Sequence, residues 1–445
     1  MAEQKYIRRN IHTYPFKYKY MQADEFFATD KGSIYIHIPF CETKCHFCDY
    51  VVYVNTPKDA RAAYVDALCK EISLFPQIHA FPGFTIDAIY VGGGTPGVLS
   101  AEQLIRILNT CRETFPDFTE NCEVAVEFDP GCVDEEKLKQ IRAAGFNRFS
   151  MGVQSFDEDI LKENNRPHNL AEVYTAWEAT KKSGFTHTNI DLIYPLIGLD
   201  MDTWVESVKE AIRLEPACIT AYPLEVWKNT AYHHWLTKNK KQLPPAQAEV
   251  EMCRVALDLL EEAGYRRWST TGYYHPERVD HYCRFLDYYW RTEPMIGFGV
   301  GSKSVVYNRC WANIRSMSEY IKRVESGEGV LDFATHMTKR QEMLRVMIRG
   351  LKVCEVSKKH FYDRFGVEME TIFSREINEL VEGGFITNDS EKISLTREGQ
   401  VFSSNVFEEF YTEDDLREPE EGEVQFGISD LVLRDSTQPP ATLAP

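Results

Sequence analysis

The sequence predicts an α/β protein in which a parallel sheet curves into a partial barrel, with a smaller domain after it. Segments that resemble strands and helices alternate from Ser33 to about Tyr222. This alternation is typical of right-handed β/α crossovers in a parallel sheet. Six such units can be counted, whereas a complete barrel has eight, so we expect an incomplete (β/α)6 barrel. Chemically distinctive residues also recur where the strands end.

The elements of the barrel follow in order along the chain. The predicted strands are Ser33–Ile38, Ala88–Val91, Glu123–Glu127, Arg148–Gly152, Thr188–Ile193 and Cys218–Tyr222. The predicted helices are Ala60–Leu74, Ala101–Phe115, Glu135–Ala144, Leu170–Lys182 and Thr203–Leu214. Ser100 and Gln103 have the spacing of a capping box at the start of the second helix.

The second half of the chain changes character. A helix is predicted over Pro244–Gly264, and Arg267–Tyr274 and Pro294–Val306 are aromatic and glycine-rich segments expected to close the open side of the barrel. After Thr338 come two predicted helices, Lys339–Leu351 and Lys358–Phe365, and then the segment Thr371–Glu382. A strand–turn–strand pattern follows over Gly383–Asn388, Lys392–Leu395 and Thr396–Gln400. Helices followed by a hairpin indicate a helical, winged-helix-like domain. It has no basic cluster, which argues against DNA binding.

These patterns divide the chain into five parts. We predict an N-terminal arm over residues 1–32, the barrel over 33–230, a barrel-closing segment over 231–337 and the winged-helix-like domain over 338–412. Residues 413–445 are predicted to be an acidic, disordered tail. The segment from Phe407 to Glu423 contains nine acidic residues and only one arginine.

Composition excludes several classes of protein. The net charge is 50 − 68 = −18, which argues against a general nucleic-acid binder. The amino terminus has no signal-peptide core, and no apolar run is long enough to span a bilayer, so we expect a cytoplasmic protein with no membrane partner. Apart from one group of three, the twelve cysteines stand singly, as small buried hydrophobes do.

The group of three is the strongest chemical signal. Cys41, Cys45 and Cys48 follow the first strand with the spacing C-x3-C-x2-C. Three thiolates can hold three irons of a [4Fe-4S] cluster and leave the fourth iron open to a small molecule. The alternatives are three free buried thiols or a zinc site. Zinc prefers four ligands, and His46 between two of the cysteines is badly placed to be the fourth.

Further candidates follow the other strands. Gly92-Gly-Gly-Thr-Pro96 follows the second, Glu127 ends the third, Gln154 follows the fourth, Asp191 lies near the end of the fifth and Glu225 follows the sixth. The carboxyl ends of parallel strands share one rim, where such barrels place their active sites.

Each candidate has a chemical use and a structural alternative. The glycine turn can cradle a carboxylate with its N–H groups, with a hydroxyl from Thr95, or it is only a tight turn. Glu127 can accept hydrogen bonds from ribose hydroxyls or an ammonium group, or it faces solvent. Asp191 interrupts an apolar strand and needs a ligand or a basic partner. Arg166 can pair with Asp191 or bind a ligand carboxylate bidentately.

Taken together, these motifs resemble those of radical S-adenosylmethionine (SAM) enzymes of the oxygen-independent coproporphyrinogen oxidase (HemN-like) group. The resemblance runs from Tyr35 to about Phe410. Its segments are Tyr35-Ile-His-Ile-Pro-Phe-Cys41, the three cysteines, Gly92–Pro96, Glu127-Phe-Asp-Pro130, Phe149-Ser-Met-Gly-Val-Gln-Ser-Phe156, Arg166-Pro-His168, Asp191-Leu-Ile-Tyr194 and Gly297-Phe-Gly-Val-Gly-Ser302.

The resemblance implies a [4Fe-4S] cluster on Cys41, Cys45 and Cys48 whose open iron chelates SAM, and a flavodoxin- or ferredoxin-type electron donor. It also implies a second SAM molecule. Tyr35 and Glu127 would contact the first SAM. The residues expected around the second SAM, or between the two, are Phe47, Gly93, Gly94, Thr95, Gln154, Arg166 and Asp191.

Departures from the family pattern suggest the branch. The decarboxylase branch carries Cys-Gly-Cys where this chain has Cys48-Asp49-Tyr50, and the heme-chaperone branch carries His-Asn where Phe285 and Leu286 stand. Lys303 replaces an apolar residue or histidine, and we interpret it as a catalytic proton-transfer or specificity residue, with a solvated loop lysine as the alternative. These departures favour the class C methylase branch, a methyltransferase or cyclopropanase of natural-product heterocycles.

In that branch a methyl or methylene unit passes from the second SAM to an sp2 carbon of a small-molecule substrate, sometimes with a partner methyltransferase. The alternatives are oxidative decarboxylation of a porphyrinogen, a non-enzymatic heme carrier, and a heme-opening methylase.

Overall fold

The six predicted strands lie side by side in one sheet. The computed structural model describes residues 17–19, 31–78, 84–228, 230–412 and 423–425. The strands are β1 (Lys31–Ile38), β2 (Thr85–Gly93), β3 (Phe118–Phe128), β4 (Arg148–Gln154), β5 (His187–Tyr194) and β6 (Cys218–Pro223). Each pairs in parallel with the next along the chain, which confirms the predicted β/α succession.

Helices connect these strands. They are α1 (Lys58–Ile78), α2 (Ala101–Thr114), α3 (Glu135–Ala144), the short α4 (Glu158–Glu163), α5 (Leu170–Ser183) and α6 (Met201–Arg213). Ser100 and Gln103 make both hydrogen bonds of the predicted capping box. The sequence analysis did not identify α4, whose single turn and a half is too short to show helical periodicity.

Further strands extend both edges of the sheet. β7 (Arg266–Arg267) and β8 (Gly272–Tyr274) pair antiparallel beyond β6. At the other edge β9 (Met295–Phe298) runs parallel to β1 and is followed by β10 (Lys303–Val306), β11 (Arg309–Asn313) and β12 (Leu331–His336). Within the described ranges these 12 strands form one open sheet, so the predicted closing segments lengthen the edges and do not join them by hydrogen bonds.

Four helices alternate with these edge strands along the chain. They are α7 (Ala231–Thr237), α8 (Ala246–Glu262), α9 (Arg284–Trp290) and α10 (Met317–Ser326). The α8 helix confirms the prediction made for Pro244–Gly264. The short α9 helix carries aromatic residues that pack against β1 and β2.

The C-terminal part combines helices with a small sheet. The helices are α11 (Lys339–Lys352), α12 (Lys358–Phe365), α13 (Met369–Ile372), α14 (Ser374–Glu382), α15 (Arg397–Val401) and α16 (Ser403–Glu408). The predicted hairpin is present as β14 (Ile386–Asn388) and β15 (Lys392–Leu395), and β13 (Glu355–Ser357) adds a third strand that was not predicted.

Helical structure over the segment Thr371–Glu382 is divided between α13 and α14. The helix is interrupted at Phe373, whose backbone angles of −120° and 33° leave the helical range while its ring is fully buried in the C-terminal core. Burying this aromatic ring outweighs the loss of continuous helical hydrogen bonds.

One face of the barrel sheet packs on the helices and the other lines the barrel interior. Alternate residues such as Ile34, Ile36 and Ile38 are fully buried under α1, which is the period of two that strands impose. The residues between them, including Tyr35 and His37, face the interior. The polar candidates therefore share the interior face near the carboxyl ends of the strands.

The predicted arm and tail lie almost entirely outside the described residues. Of them, Lys17–Lys19 pairs antiparallel with Glu423–Gln425. Among the helices described, none combines the length and apolarity needed to cross a lipid bilayer.

Candidate functional site

The three cysteines lie on one short loop after β1. Cys41 ends a two-residue strand, Phe40–Cys41, that pairs with Tyr53–Val54, and the N–H of Cys48 donates to the carbonyl of Cys45 at 3.1 Å. All three thiols are half-buried. Burial raises the pKa of Cys41 to about 11 and that of Cys48 to about 12. Iron would therefore have to displace the proton from the thiols of Cys41 and Cys48 when it binds.

His46 does not complete a zinc site with these thiols. Its Nδ1 donates to the carbonyl oxygen of Glu163 at 2.9 Å, and its ring packs edge-on against Trp235 with centroids 4.5 Å apart. The imidazole is therefore turned towards neighbouring helices, which leaves the three cysteines as the donor set.

Arg166 links this loop to the barrel rim. Its Nη1 donates to Sγ of Cys45 at 3.0 Å, and its Nη2 donates to Oδ2 of Asp129 and to the carbonyl of Gly152, both at 2.6 Å. His168 also contacts Asp129 at 3.1 Å. Burial would raise the pKa of Asp129, but Arg166 and His168 outweigh it and lower the pKa.

The prediction that Arg166 pairs with Asp191 is therefore wrong. Asp129 directly follows β3, beside the rim, and it forms the ion pair with Arg166 instead. The sequence analysis missed Asp129 and His168, although both lie inside the motifs that it used. His168 is two residues from Arg166 in the chain, whereas Asp129 reaches both only because the end of β3 packs against the segment after α4.

The glycine turn approaches the cysteine loop very closely. The N–H groups of Gly94 and Thr95 donate to the carbonyls of Ile38 and Phe40 at 2.8 and 2.7 Å, and Gly93 donates to Glu127 at 3.2 Å. A Cβ on Gly94 would lie 2.7 Å from the Phe40 carbonyl oxygen, so only glycine fits there. These amides already have acceptors, which corrects the expectation that they cradle a ligand carboxylate.

Thr95 contacts the cysteine loop with its side chain. Its Oγ1 lies 3.5 Å from Sγ of Cys41. The hydroxyl predicted to face a ligand therefore lies beside one of the proposed cluster ligands.

Glu127 is held at the rim by a neighbour that the sequence analysis did not identify. The hydroxyl of Tyr90 donates to Oε1 of Glu127 at 2.5 Å. Burial raises the pKa of Glu127 to about 7, and Asp191 adds to the rise while Tyr90 and Gly93 oppose it. The carboxyl can thus change its charge near neutral pH.

Asp191 lies in a network of neutral donors. Ser150 donates to its Oδ2 at 3.1 Å and the Asn189 amide donates to its Oδ1 at 2.8 Å, while Thr220 donates to the Asn189 carbonyl oxygen at 3.0 Å. Burial raises the pKa of Asp191, which these hydrogen bonds partly offset. Instead of the ligand or basic partner that was expected, Asp191 therefore has the Asn189 amide on its own strand and the Ser150 hydroxyl on the adjacent strand.

The buried polar atoms at the rim that lack hydrogen-bond partners among the described residues include two near the cysteine loop. They are Oε1 of Gln154 and Nε of Arg166. Gln154 also has a φ of 72°, an unusual conformation for a residue other than glycine. An acceptor and a donor left unpaired beside the cysteine loop fit a polar ligand in this space. Phe47 packs edge-on against Tyr232 at 6.2 Å and closes the same region.

Aromatic residues line the interior near the rim. Tyr35 donates its hydroxyl hydrogen to Nδ1 of His37 at 3.1 Å, since the His37 Nε2 must donate to the Val51 carbonyl at 3.0 Å. Burial lowers the pKa of His37 to about 4, so this imidazole is neutral. Phe285 of α9 stacks on Tyr90 with centroids 4.8 Å apart, and is only 4% exposed.

Lys303 lies beside the cysteine loop. Burial and the nearby Arg315 lower its pKa to about 8, and the carboxylate of Asp49 opposes the change. Asp49 directly follows Cys48 in the chain, and the catalytic role of Lys303 stays a prediction. Glu225, the sixth rim candidate, is half-buried and has Lys352 as its main positive neighbour.

Two family models match the chain. Residues 35–211 match the radical SAM superfamily, and residues 337–402 match the HemN C-terminal domain. The first range covers the cysteine loop and the strands β1 to β5. The second covers α11 to α15.

Curated relatives match along most of the chain. The heme chaperone HemW of Bacillus subtilis is 31% identical over 386 residues, covering 86% of this chain and 99% of the relative. The heme chaperone HemW of Lactococcus lactis is 30% identical, covering 86% and 98%. The oxygen-independent coproporphyrinogen III oxidase of Escherichia coli is 26% identical, covering 87% of each.

The solved structure of coproporphyrinogen III oxidase (HemN) from Escherichia coli has a similar fold. It superimposes with a TM-score of 0.72 at 24% sequence identity, covering 86% of this chain and 90% of the other. This agreement confirms the predicted fold class, a partial barrel with a C-terminal helical domain.

Proposed function

The chain belongs to the HemN-like family of radical SAM proteins, and from this premise we propose that it cleaves SAM reductively and acts on a tetrapyrrole. Its relatives are named as heme chaperones and as a coproporphyrinogen III oxidase, so tetrapyrroles are the substrate class that they support. These relatives support action on a tetrapyrrole better than they support methyl transfer to a natural product.

The single observation that carries SAM cleavage is the contact of the cysteine loop with the rim. The thiols of Cys41, Cys45 and Cys48 are the donor set that iron–sulfur clusters use, and Arg166 connects Cys45 with the Gly152 carbonyl on β4, the strand that ends at Gln154. When bound, a [4Fe-4S] cluster supplies one electron that splits SAM into methionine and a 5′-deoxyadenosyl radical.

The residues of this chain would position SAM. Once ionised, Glu127 can accept hydrogen bonds from the amino group or the ribose of SAM. The side-chain oxygen of Gln154 can accept a further hydrogen bond from SAM. The surrounding barrel wall, including Tyr35, Tyr90 and Phe285, excludes water from the reacting atoms. We expect a flavodoxin or ferredoxin to deliver the electron.

The interior next to this site suits a flat conjugated molecule. Tyr50 exposes 55% of its surface and Tyr222 exposes 37%. Tyr50 lies two residues after Cys48, and Tyr222 lies at the carboxyl end of β6. Exposed aromatic faces in an enclosed space can stack on conjugated rings. Lys303 and Arg315 supply positive charge for carboxylate side chains.

Reconstitution without oxygen tests this function. The protein is loaded with iron and sulfide, reduced with flavodoxin and incubated with SAM and coproporphyrinogen III, while Cys45→Ala serves as the inactive control. We expect 5′-deoxyadenosine together with carbon dioxide. SAM cleavage without any response to coproporphyrinogen III or hemin would reject the tetrapyrrole, and absence of 5′-deoxyadenosine would reject the whole function.

A heme carrier needs a side chain that can ligate the heme iron, and the residue at the corresponding position of this chain can be examined. The position at which the heme-chaperone branch carries histidine is Phe285, a buried ring stacked on Tyr90. It cannot ligate iron. A titration with hemin therefore distinguishes a carrier, which binds it tightly without consuming it, from an enzyme.

Methyl transfer is a second candidate, and departures from the family pattern favour it. Lys303 stands where other branches have an apolar residue or histidine, and the carboxylate of Asp49 acts to raise its pKa. A second SAM would donate a methyl or methylene unit to an sp2 carbon, with or without a partner methyltransferase. S-Adenosylhomocysteine formed together with 5′-deoxyadenosine is the expected product pair, and its absence with every conjugated substrate tested would exclude this candidate.

A further inference from the structure

A second cluster of metal-binding side chains lies at the opposite end of the barrel strands. His187 is the first residue of β5, and Asp280 and His281 lie in the loop before α9. One ligand atom from each of the three lies within 4.8 Å of the others. His187 precedes Asp191 by four residues along the strand, about 13 Å at the usual rise. This cluster is therefore separate from the cysteine loop.

The donor atoms face one another at suitable distances. Nε2 of His187 lies 3.6 Å from Oδ1 of Asp280, and Nδ1 of His281 lies 2.7 Å from the same oxygen. The two imidazole rings have centroids 4.4 Å apart. Ligand atoms bound at about 2.0–2.1 Å around one tetrahedral zinc ion lie roughly 3.3 Å from each other, so only small movements are needed.

An unpaired atom points into this space. Nε2 of His187 is shielded from solvent and has no hydrogen-bond partner among the described residues. A buried imidazole nitrogen without a partner is uncommon and suggests a missing one. The other nitrogen of His187 lies 3.2 Å from the Thr186 hydroxyl, so it can carry the proton while Nε2 binds a metal.

The surrounding groups also suit metal-binding histidines. Nε2 of His281 lies 3.7 Å from Oε2 of Glu123, a carboxylate that is only 2% exposed. A carboxylate behind a ligating histidine fixes the ring and strengthens the ligand. Arg148 is the nearby positive charge, with Nη1 4.0 Å from Glu123. The two carboxylates, Glu123 and Asp280, outweigh it.

We propose that Nε2 of His187, Nδ1 of His281 and a carboxylate oxygen of Asp280 bind one Zn²⁺ ion at the amino ends of the barrel strands. Two imidazoles and one carboxylate form a zinc donor set, with a fourth position left for water. The ion ties the loop before α9 to β5. It therefore anchors the helix whose Phe285 packs against Tyr90 at the barrel wall.

The test measures zinc on the protein with its iron–sulfur cluster in place. The holoprotein is equilibrated without oxygen against buffered Zn²⁺, and zinc and iron per chain are measured by elemental mass spectrometry. We expect about one zinc per chain in addition to the cluster iron. Asp280→Ala and His281→Ala should each weaken zinc binding by at least about tenfold, while His234→Ala, an exposed histidine on α7, should leave it unchanged.

Asp280 provides the cleanest variant because its side chain is 87% exposed, so its removal leaves the core packing intact. X-ray absorption at the zinc edge adds a second readout, since histidine and carboxylate ligands give only nitrogen and oxygen neighbours. Zinc should also raise the melting temperature of the unaltered protein and not that of Asp280→Ala. Sulfur neighbours, no zinc bound, or equal binding by Asp280→Ala would each overturn the proposal.

Discussion

Arg166 donates a hydrogen bond to Sγ of Cys45 over 3.0 Å, although 121 residues separate the two along the chain. The same guanidinium holds Asp129 and the Gly152 carbonyl, so one side chain connects the cysteine loop with β3 and β4. A lysine keeps the charge but cannot reach three acceptors in a fixed plane.

We expect Arg166→Lys to lower the rate of SAM cleavage roughly tenfold to a hundredfold, since a hydrogen bond to a charged group contributes about 1.5–3 kcal/mol. The measurement is 5′-deoxyadenosine formed per cluster, with iron content determined on the same sample. Arg112→Lys, which changes an exposed arginine that donates to the Ala144 carbonyl, should behave as the unaltered protein. Equal rates for the two variants would show that the contact with Cys45 has no part in the reaction.

Cluster assembly should depend on the three loop cysteines and on no isolated one. Each of Cys41→Ser, Cys45→Ser and Cys48→Ser is expected to reduce bound iron from about four per chain to less than about one, because an iron–sulfur cube needs its thiolates. Cys122→Ser, at a half-buried cysteine outside the loop, should retain the iron. Iron analysis and the visible absorption of the cluster provide the measurement. A cluster that survives in Cys48→Ser would point to a ligand elsewhere.

SAM binding should vary with pH through Glu127. Its pKa is raised to about 7, chiefly by burial, so it becomes ionised as the pH rises from 6 to 8. If the ionised carboxylate binds SAM, affinity increases over this interval. We expect Glu127→Gln to bind roughly tenfold more weakly at pH 8 and with a flatter pH dependence.

Equilibrium dialysis of labelled SAM against the clustered protein measures this affinity. Glu120→Gln changes an exposed glutamate on the same strand and is the matched control. Since the amino group of SAM titrates identically with every variant, a pH dependence that persists in Glu127→Gln would assign the effect to the ligand.

Glu71 should make the protein less stable as the pH rises. Its carboxyl accepts from the Gly299 N–H at 2.8 Å, from Asn313 at 2.6 Å and from the Tyr320 hydroxyl at 2.5 Å, yet burial raises its pKa to about 7. A carboxyl with a raised folded-state pKa stabilises the fold fully below its unfolded value, about 4.5, and this stabilisation is lost as the pH rises to 7.

The unaltered protein should therefore lose on the order of 2 kcal/mol more than Glu71→Gln between pH 4.5 and pH 7.5. Urea denaturation at several pH values measures the difference, with Glu113→Gln, an exposed glutamate on α2, as control. The same slope in Glu71→Gln would mean that the carboxyl is already ionised when folded.

The rim could be predicted from the sequence because its signals are local. Each apolar strand and the polar residue that ends it are adjacent in the chain, so Cys41, Glu127 and Asp191 could be assigned to one edge before their contacts were known. The parallel order followed from the alternation of strands and helices. The class of fold and the cysteine loop were predicted for the same reason.

Side-chain partners could not be predicted because they depend on register and packing between distant segments. Asp191 and a ligand carboxylate were the partners considered for Arg166, which pairs with Asp129. Nothing near Glu127 in sequence indicates the hydroxyl of Tyr90. The N–H groups of the glycine turn were assigned to a ligand, but the carbonyls after β1 accept them. Likewise, β13 is three residues long and shows no alternation that could be recognised.

Lys303 should act on the substrate and leave SAM cleavage intact. It lies beside Asp49 with a pKa lowered to about 8 by burial and by Arg315, so it holds a proton below that pH and loses it above. If the protonated amine is the proton donor, product formation falls as the pH passes 8. Lys303→Met should reduce product formation at least about tenfold at pH 7 while 5′-deoxyadenosine is still released.

Lys303→Arg distinguishes the two roles proposed for this residue. Arginine keeps the positive charge but does not deprotonate in proteins, so it should restore substrate affinity without restoring the decline of rate above pH 8. Lys322→Met, on the surface-facing side of α10, is the control. The measurement is the pH profile of kcat and KM for the substrate. If Lys303→Met and Lys322→Met have the same profile, proton transfer belongs to another group.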